Sequence, residues 1–229
     1  HPRAPGKPRN GRNRHHQQHA HHGRNQATAH RHRRQLPHLR SQINPGTVWY
    51  KLLVAENGFH GRTMGALSAT SSPKYRNGFE PLLEGFLFAP LNDIEAFKSK
   101  IDDQTIGIMV ESIQGEGGIQ VATDEFLLGI EKLCKENGLL SLLDEVQAGI
   151  GRTGEFLGYQ KSGVKPDAIA MAKGLGAGFP IGGIWLAEKW GDIFQPGSHG
   201  TTFGGSPLAC SAANAVLDII ESENLINLA

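Results

Sequence analysis

Residues 139–177 read LLSLLDEVQAGIGRTGEFLGYQKSGVKPDAIAMAKGLGA, and two short apolar runs in this stretch, Leu139–Leu143 and Ala168–Ala172, each lead straight into a charged residue, Asp144 and Lys173. Runs of this length bounded by turn residues read as buried strands. A crossover between them makes the strands parallel, and open parallel sheets hold their ligands beyond the strands' carboxyl ends. Asp144 and Lys173 are therefore expected on one rim of one sheet.

Working outward, Ile106–Val110 reads as a further buried strand and Asp124–Asn137 as a helix. On that helix Phe126, Ile130, Leu133, Cys134 and Asn137 share a face. Thr123 is placed to cap its start, Asp124 and Glu125 suit the positive end of its dipole, and Gly138 suits the left-handed closing residue. Ile181–Ala187 reads as another strand and Ser206–Glu221 as a closing helix. Strands alternating with helices from residue 86 onward predict an α/β fold with a mostly parallel central sheet flanked by helices.

Composition divides the chain. Of its 229 residues, 23 are Lys or Arg and 22 Asp or Glu. Residues 1–55 hold 11 of the basic residues, 9 of the 11 His and no acidic residue, so residues 56–229 carry 12 basic against 22 acidic, a net −10. The basic, His-rich segment has too few large aliphatics to offset its ordering entropy and is expected to be disordered. Residues 56–229 hold 26 of the 30 glycines, which suggests ligand loops built from backbone. No apolar run reaches membrane-spanning length and no secretory pattern is present. Two cysteines, Cys134 and Cys210, make no disulfide framework and point to a reducing compartment, the cytoplasm or an organelle matrix. No metal-ligand spacing is present.

A carboxylate and an amine on one sheet rim define a chemistry. A buried lysine is a competent nucleophile toward an aldehyde, and a carboxylate holds a pyridine nitrogen protonated. Together they describe a pyridoxal phosphate site. Gly149, Gly151 and Gly154 also satisfy the G-x-G-x-x-G dinucleotide pattern. Residues 144–148 separate it from the strand and no helix pattern opens at Gly154, so these glycines read as tight turns.

The motifs NGFHGRTMGALSAT, ESIQGEGGI, LLDEVQAGIGRTG, DAIAMAKGLGAGFPIGG and HGTTFGGSPLACSAANAVL, in that order, resemble the class III aminotransferases, pyridoxal-phosphate enzymes of fold type I. The resemblance spans residues 56–229, the partial large domain, and residues 1–55 are expected to match nothing in it. It implies that Lys173 holds the cofactor covalently, Asp144 partners the ring nitrogen, Gln147 bonds the phenolic oxygen, Phe59 stacks on the ring, and His60 belongs to the same cofactor site. Arg62 resembles the arginine that grips a substrate α-carboxylate, as its planar fork suits. Glu116 resembles a glutamate that pairs with an arginine near the family's C-terminus, and Glu111 belongs to the same substrate motif. Where the family commonly has proline after Glu111, this chain has Ser112, expected to matter little. Thr202 resembles the threonine that reaches the cofactor phosphate of the other subunit, which implies a homodimer with a shared site.

The resemblance runs first to members acting on N-acetylornithine with 2-oxoglutarate in arginine biosynthesis, then to those taking ornithine, succinylornithine or 4-aminobutyrate. The phosphate-binding loop before the first motif and the C-terminal small domain have no counterpart, so this chain by itself is expected to bind cofactor poorly. An inactive truncated relative and a basic-tail module for nucleic acid are the rival readings. The tail has no aromatic residue before Trp49 and no repeat, which argues against nucleic acid as a partner.

Overall fold

A computed structural model describes residues 51–194, 196–197 and 200–229. The sheet begins with β1 (Lys51–Ala55). It continues with β2 (Phe86–Ala89), β3 (Thr105–Glu111), β6 (Leu140–Asp144), β7 (Ala168–Met171) and β8 (Gly183–Leu186), in the spatial order β2-β1-β3-β6-β7-β8. All neighbours are parallel except β7 and β8. Between β3 and β6 a small antiparallel pair, β4 (Ile113–Gln114) and β5 (Gln120–Val121), forms a separate ribbon. The helices are α1 (Met64–Ala69), α2 (Pro73–Arg76), α3 (Ile94–Ser99), α4 (Asp124–Asn137) and α5 (Pro207–Ser222).

The period-2 alternation of the central strands sorts their side chains to two faces. Leu53, Ala55, Ile108, Val110 and Leu143 meet Phe97 of α3 and Phe126, Ile130, Leu133 and Cys134 of α4. Phe97 and Phe126 pack edge to face, 5.5 Å between centroids, a favoured arrangement for aromatic quadrupoles. On the opposite face Val54 and Met109 meet Ala69 of α1. With both faces covered, the strands read as near-continuous apolar runs, as parallel strands must.

The expected helix at Asp124–Asn137 has those bounds. Thr123 accepts a hydrogen bond from Phe126 N at 3.1 Å, and Gly138 closes it at φ 62°. Of the face named from the sequence, Asn137 alone is exposed; its side-chain amide donates to Leu133 O. Helix α5 starts as expected, Ser206 accepting from Ala209 N.

One boundary differs. The basic segment was drawn to residue 55, but Lys51–Ala55 is a strand paired on both sides, to β2 and β3. Charge composition hid it: Lys51 is the last of the 11 basic residues in residues 1–55, while KLLVA is an ordinary buried strand sequence. The expectation of disorder for residues 1–50 lies outside the described residues. No described helix is long and apolar enough to cross a membrane.

Strands β3 and β6 approach closely because Gly107 faces Leu140 O, and a Cβ added there would stand 2.6 Å from that oxygen. Gly107→Ala must push two central strands apart. It is expected to cost about 1–3 kcal/mol, read as a lower urea midpoint with unchanged m; an unshifted midpoint would refute this.

Candidate active site

The carboxyl ends of four adjacent strands converge. Glu111, the last residue of β3, is in register with Asp144, the last of β6, and Asp144 is in register with Ala170 of β7, three residues before Lys173. From β1 the chain runs through Gly58 to Phe59 and His60 on the same rim. Strand order reverses at β1 and β3, β2 lying on one side of β1 and all later strands on the other. That is the switch point where such sheets open a crevice.

Asp144 is buried. Its Oδ1 accepts from Val146 N at 3.0 Å, and its Oδ2 lies 2.7 Å from His60 Nδ1. A carboxylate accepts, so Nδ1 donates and the other ring nitrogen is left as acceptor in the neutral imidazole. That nitrogen, Nε2, is buried without a hydrogen-bond partner among the described residues. Sequence reading placed His60 in the site but did not foresee that it grips Asp144; only a fold that brings residue 60 beside residue 144 reveals it.

Glu111 lies behind Phe59, accepting Phe59 N at Oε2, 3.0 Å away. Burial raises its pKa from 4.5 to about 7, against the opposing pull of His60 and the Phe59 amide. The unfolded chain releases this proton near 4.5 and the folded chain near 7, so the folded state binds more protons between those values. The cofactor-free protein thus keeps this contribution fully below pH 4.5 and loses it as pH rises through 7, by about 3 kcal/mol. Glu111→Gln retains an oxygen for Phe59 N and removes the titration. Urea unfolding at pH 5 and pH 8 should show the difference between the two pH values shrink in the variant; an unchanged difference would assign it elsewhere.

Ser112 does more than loosen backbone. Its hydroxyl donates to Glu145 Oε1 at 2.5 Å, and Gly158 N donates to Oε2 at 2.6 Å. Glu145 is fully buried, and burial holds its pKa above the usual carboxylate range. A proline at 112 would bring no such donor.

Lys173 begins a single 3₁₀ turn, one residue (Ala172) after β7 ends, and has φ 44°, the left-handed region that non-glycine residues rarely enter. Helix α5 packs against this turn. Gln147 lies over the QGEGG loop, where Gly115 makes room: a Cβ there would sit 2.3 Å from Gln147 Oε1. Phe59, half-buried, meets Tyr75 edge-on at 5.0 Å, and the Arg62 guanidinium lies 4.6 Å above the Tyr75 ring. Glu116 is exposed and accepts from the Tyr75 hydroxyl at 3.0 Å. Thr202 is exposed in the loop before α5. Tyr75 escaped the sequence reading because a lone tyrosine in a PKYR turn carries no motif.

These groups suit a flat, protonatable heterocycle bearing an aldehyde. The test is local: the orphaned His60 Nε2 is followed on the same rim by an acid at one strand end and an amine past the next. Gly58 keeps the space beside that nitrogen clear, since a Cβ there would fall 2.9 Å from Nε2. The donor set fits pyridoxal phosphate.

The family description aminotransferase class III matches residues 12–229. The match therefore reaches well upstream of residue 56, against the expectation that residues 1–55 match nothing in the family. An acetylornithine aminotransferase of Caldanaerobacter subterraneus subsp. tengcongensis is 52% identical over 186 residues, 81% of this chain and 47% of that relative. The acetylornithine aminotransferase of Aquifex aeolicus is 54% identical over 172 residues, 75% of this chain and 46% of its own length. The chain thus spans about half the length of the curated relatives it matches. Among solved structures, the ornithine aminotransferase of Toxoplasma gondii superposes with TM-score 0.75 at 31% identity, covering 91% of this chain and 49% of that one.

Proposed function

The chain belongs to the class III aminotransferases, and on that premise we propose that it carries the cofactor face of a pyridoxal-phosphate-dependent transaminase. The reaction proposed moves the ω-amino group of N-acetylornithine to 2-oxoglutarate, giving the semialdehyde and glutamate, a step of arginine biosynthesis. One observation carries the reading: Glu111, Asp144 and Lys173 stand at the ends of three adjacent strands with His60 bonded to Asp144.

When bound, pyridoxal phosphate supplies an aldehyde and an electron-withdrawing ring. The chain's residues divide the remaining work. Asp144, steadied by His60 and Val146 N, presents a carboxylate to the ring nitrogen. The Gln147 amide meets the phenolic oxygen, and Phe59 offers an apolar face. Lys173 Nζ would hold the cofactor and, once released, would carry the proton from the substrate carbon that bears the amine to the cofactor. Arg62 binds the substrate α-carboxylate through its fork, and Glu116 is read as the partner of an arginine near the family's C-terminus, which it releases for the second substrate's carboxylate. Glu111, behind Phe59, fixes the turn that aims Phe59 and His60. Thr202 serves the phosphate across a homodimer interface, and the proposed location is the cytoplasm or an organelle matrix.

The donor assignment is supported by relatives at 52% and 54% identity that bear the acetylornithine aminotransferase name. Pocket contacts of amide or methylene size discriminate by only about 1–3 kcal/mol. N-Acetylornithine is therefore expected to exceed ornithine, succinylornithine and 4-aminobutyrate in kcat/KM by roughly 10-fold or more in a coupled glutamate assay. A tenfold preference for 4-aminobutyrate would move the assignment to that donor.

A further inference from the structure

Asp144 and Glu145 are consecutive, yet their carboxylates serve different partners. Asp144 reaches His60, whereas Glu145 is fully buried, its Oε1 taking the Ser112 hydroxyl at 2.5 Å and its Oε2 taking Gly158 N at 2.6 Å. Both contacts are as short as hydrogen bonds to a carboxylate become. The Glu145 backbone is tied as well. Its N–H donates to Ala170 O of β7 at 2.9 Å, and its carbonyl accepts Gly149 N at 2.9 Å, closing a turn over residues 145–149. Gln147 is the middle residue of that turn, and its amide lies against Gly115 of the QGEGG loop.

Two contacts therefore join the same pair of segments: Ser112 with Glu145, and Gly115 with Gln147, link the chain after β3 to the turn after β6. The packing there leaves no slack. An added Cβ at Gly158 would stand 2.8 Å from Ser112 Oγ and 3.0 Å from Ala148 Cβ, and one at Gly149 2.8 Å from Glu145 O. An acid buried at such a junction depends on its donors, since losing one leaves an oxygen unpaired and out of reach of water.

We propose that Glu145 is a positioning residue: held by Ser112 and Gly158, it sets the 145–149 turn and through it the Gln147 amide that meets the cofactor's phenolic oxygen. This rests on the reading of Gln147 as the partner of that oxygen. Ser112 stands where the family commonly has proline, so the tether belongs to this chain's own sequence. Without the hydroxyl, Oε1 must turn to find another donor, and the turn that carries Gln147 shifts with it.

Ser112→Ala removes the tether and little else. The probe is pyridoxal phosphate, titrated into the cofactor-free full chain and followed by calorimetry and by the visible absorption band of the bound form. Ser112→Ala is expected to weaken cofactor binding about fivefold and to move the band maximum in the direction that Gln147→Ala moves it. The same change made in Gln147→Ala should alter affinity less than about twofold and leave the band where it stands, because the residue through which the tether acts is gone. Glu145→Gln should stay within about twofold of the unaltered protein, since its amide oxygen still accepts Gly158 N and its amide nitrogen donates to Ser112 Oγ.

Equal weakening by Ser112→Ala in both backgrounds would show a general loosening of the fold and overturn the proposal, as would unaltered binding and an unmoved band in Ser112→Ala. Glu145→Gln as damaging as Ser112→Ala would show charge at work in place of a tether, and would overturn it too. A band that Gln147→Ala leaves unmoved would remove the reading of Gln147 and the proposal with it. A band that moves in Gln147→Ala but not in Ser112→Ala would remove the proposal alone. Absence of any cofactor band in the unaltered protein would remove the cofactor reading itself.

Discussion

Lys173→Ala is expected to lower transamination by roughly 10⁴-fold, the upper end of what a positioned proton carrier supplies, and to abolish the reductive labelling that marks a lysine-held cofactor. The backbone supports this expectation as well as the chemistry. Lys173 sits at φ 44° and Ile150 at φ 57°, and left-handed conformations of non-glycine residues cost of order 1–3 kcal/mol each. The two are neighbours through Gly174, where an added Cβ would come within 3.2 Å of Ile150 Cβ. Strain of this kind persists where the surroundings enforce it, and here it turns the chain two residues after β7 ends, on the rim that also carries Asp144. Lys173→Gly should then be as inactive as the alanine variant yet stabilise the cofactor-free fold by about 1 kcal/mol, since glycine enters this region freely. Borohydride reduction followed by peptide mapping is expected to place the pyridoxyl label on Lys173. A label on another lysine, or turnover within tenfold of the unaltered protein in Lys173→Ala, would end the assignment.

Elements whose ends are written in local chemistry were legible from the sequence. Helix α4 is bounded by a threonine that accepts a backbone hydrogen bond and a glycine at φ 62°, and both signals act within a turn of the helix end. The strands leading to Asp144 and Lys173 were legible because burial on both faces writes an unbroken apolar run. Strand β8 was expected as a strand, but no short-range pattern says that Gly183–Leu186 runs antiparallel to β7. Gly151 at φ 85° and Gly154 at φ 78° are turn residues, as read. Gly149 has a packing reason instead, because a Cβ would stand 2.8 Å from Glu145 O.

What the sequence withheld depends on distant pairing. Lys51–Ala55 was hidden by the composition of the residues before it, and its place between β2 and β3 is set by partners 34 to 55 positions away. His60 with Asp144, Ser112 with Glu145 and Tyr75 with Glu116 are contacts between residues 33 to 84 positions apart. Each residue type alone is ordinary, and its use appears only when the sheet brings the strand ends together. The Ser112 contact is instructive, since a departure from the family's proline became a hydrogen bond to a buried acid.

Asp144→Asn is expected to lower kcat by about 10²–10⁴-fold with the fold intact, and the reason is both charge and tautomer. Asparagine is isosteric, and its carbonyl oxygen can keep the Val146 N hydrogen bond now made at 3.0 Å. Its amide nitrogen then faces His60 Nδ1 across the present 2.7 Å. Two donors cannot share that line, so His60 must move its proton to Nε2, the buried nitrogen that has no partner among the described residues. The substitution therefore removes the anion offered to a ring nitrogen and turns the supporting imidazole to the wrong tautomer, a combination known to cost a catalytic carboxylate site several orders of magnitude without disturbing geometry. His60→Gln provides the contrast. It keeps a donor near Asp144 and leaves the carboxylate, so its loss should be about tenfold or less. Asp144→Glu keeps the charge but lengthens the side chain in a buried site and should fall between the two. If Asp144→Asn retained turnover within tenfold of the unaltered protein, or if His60→Gln were the more damaging change, the carboxylate would not be the group that the ring nitrogen meets.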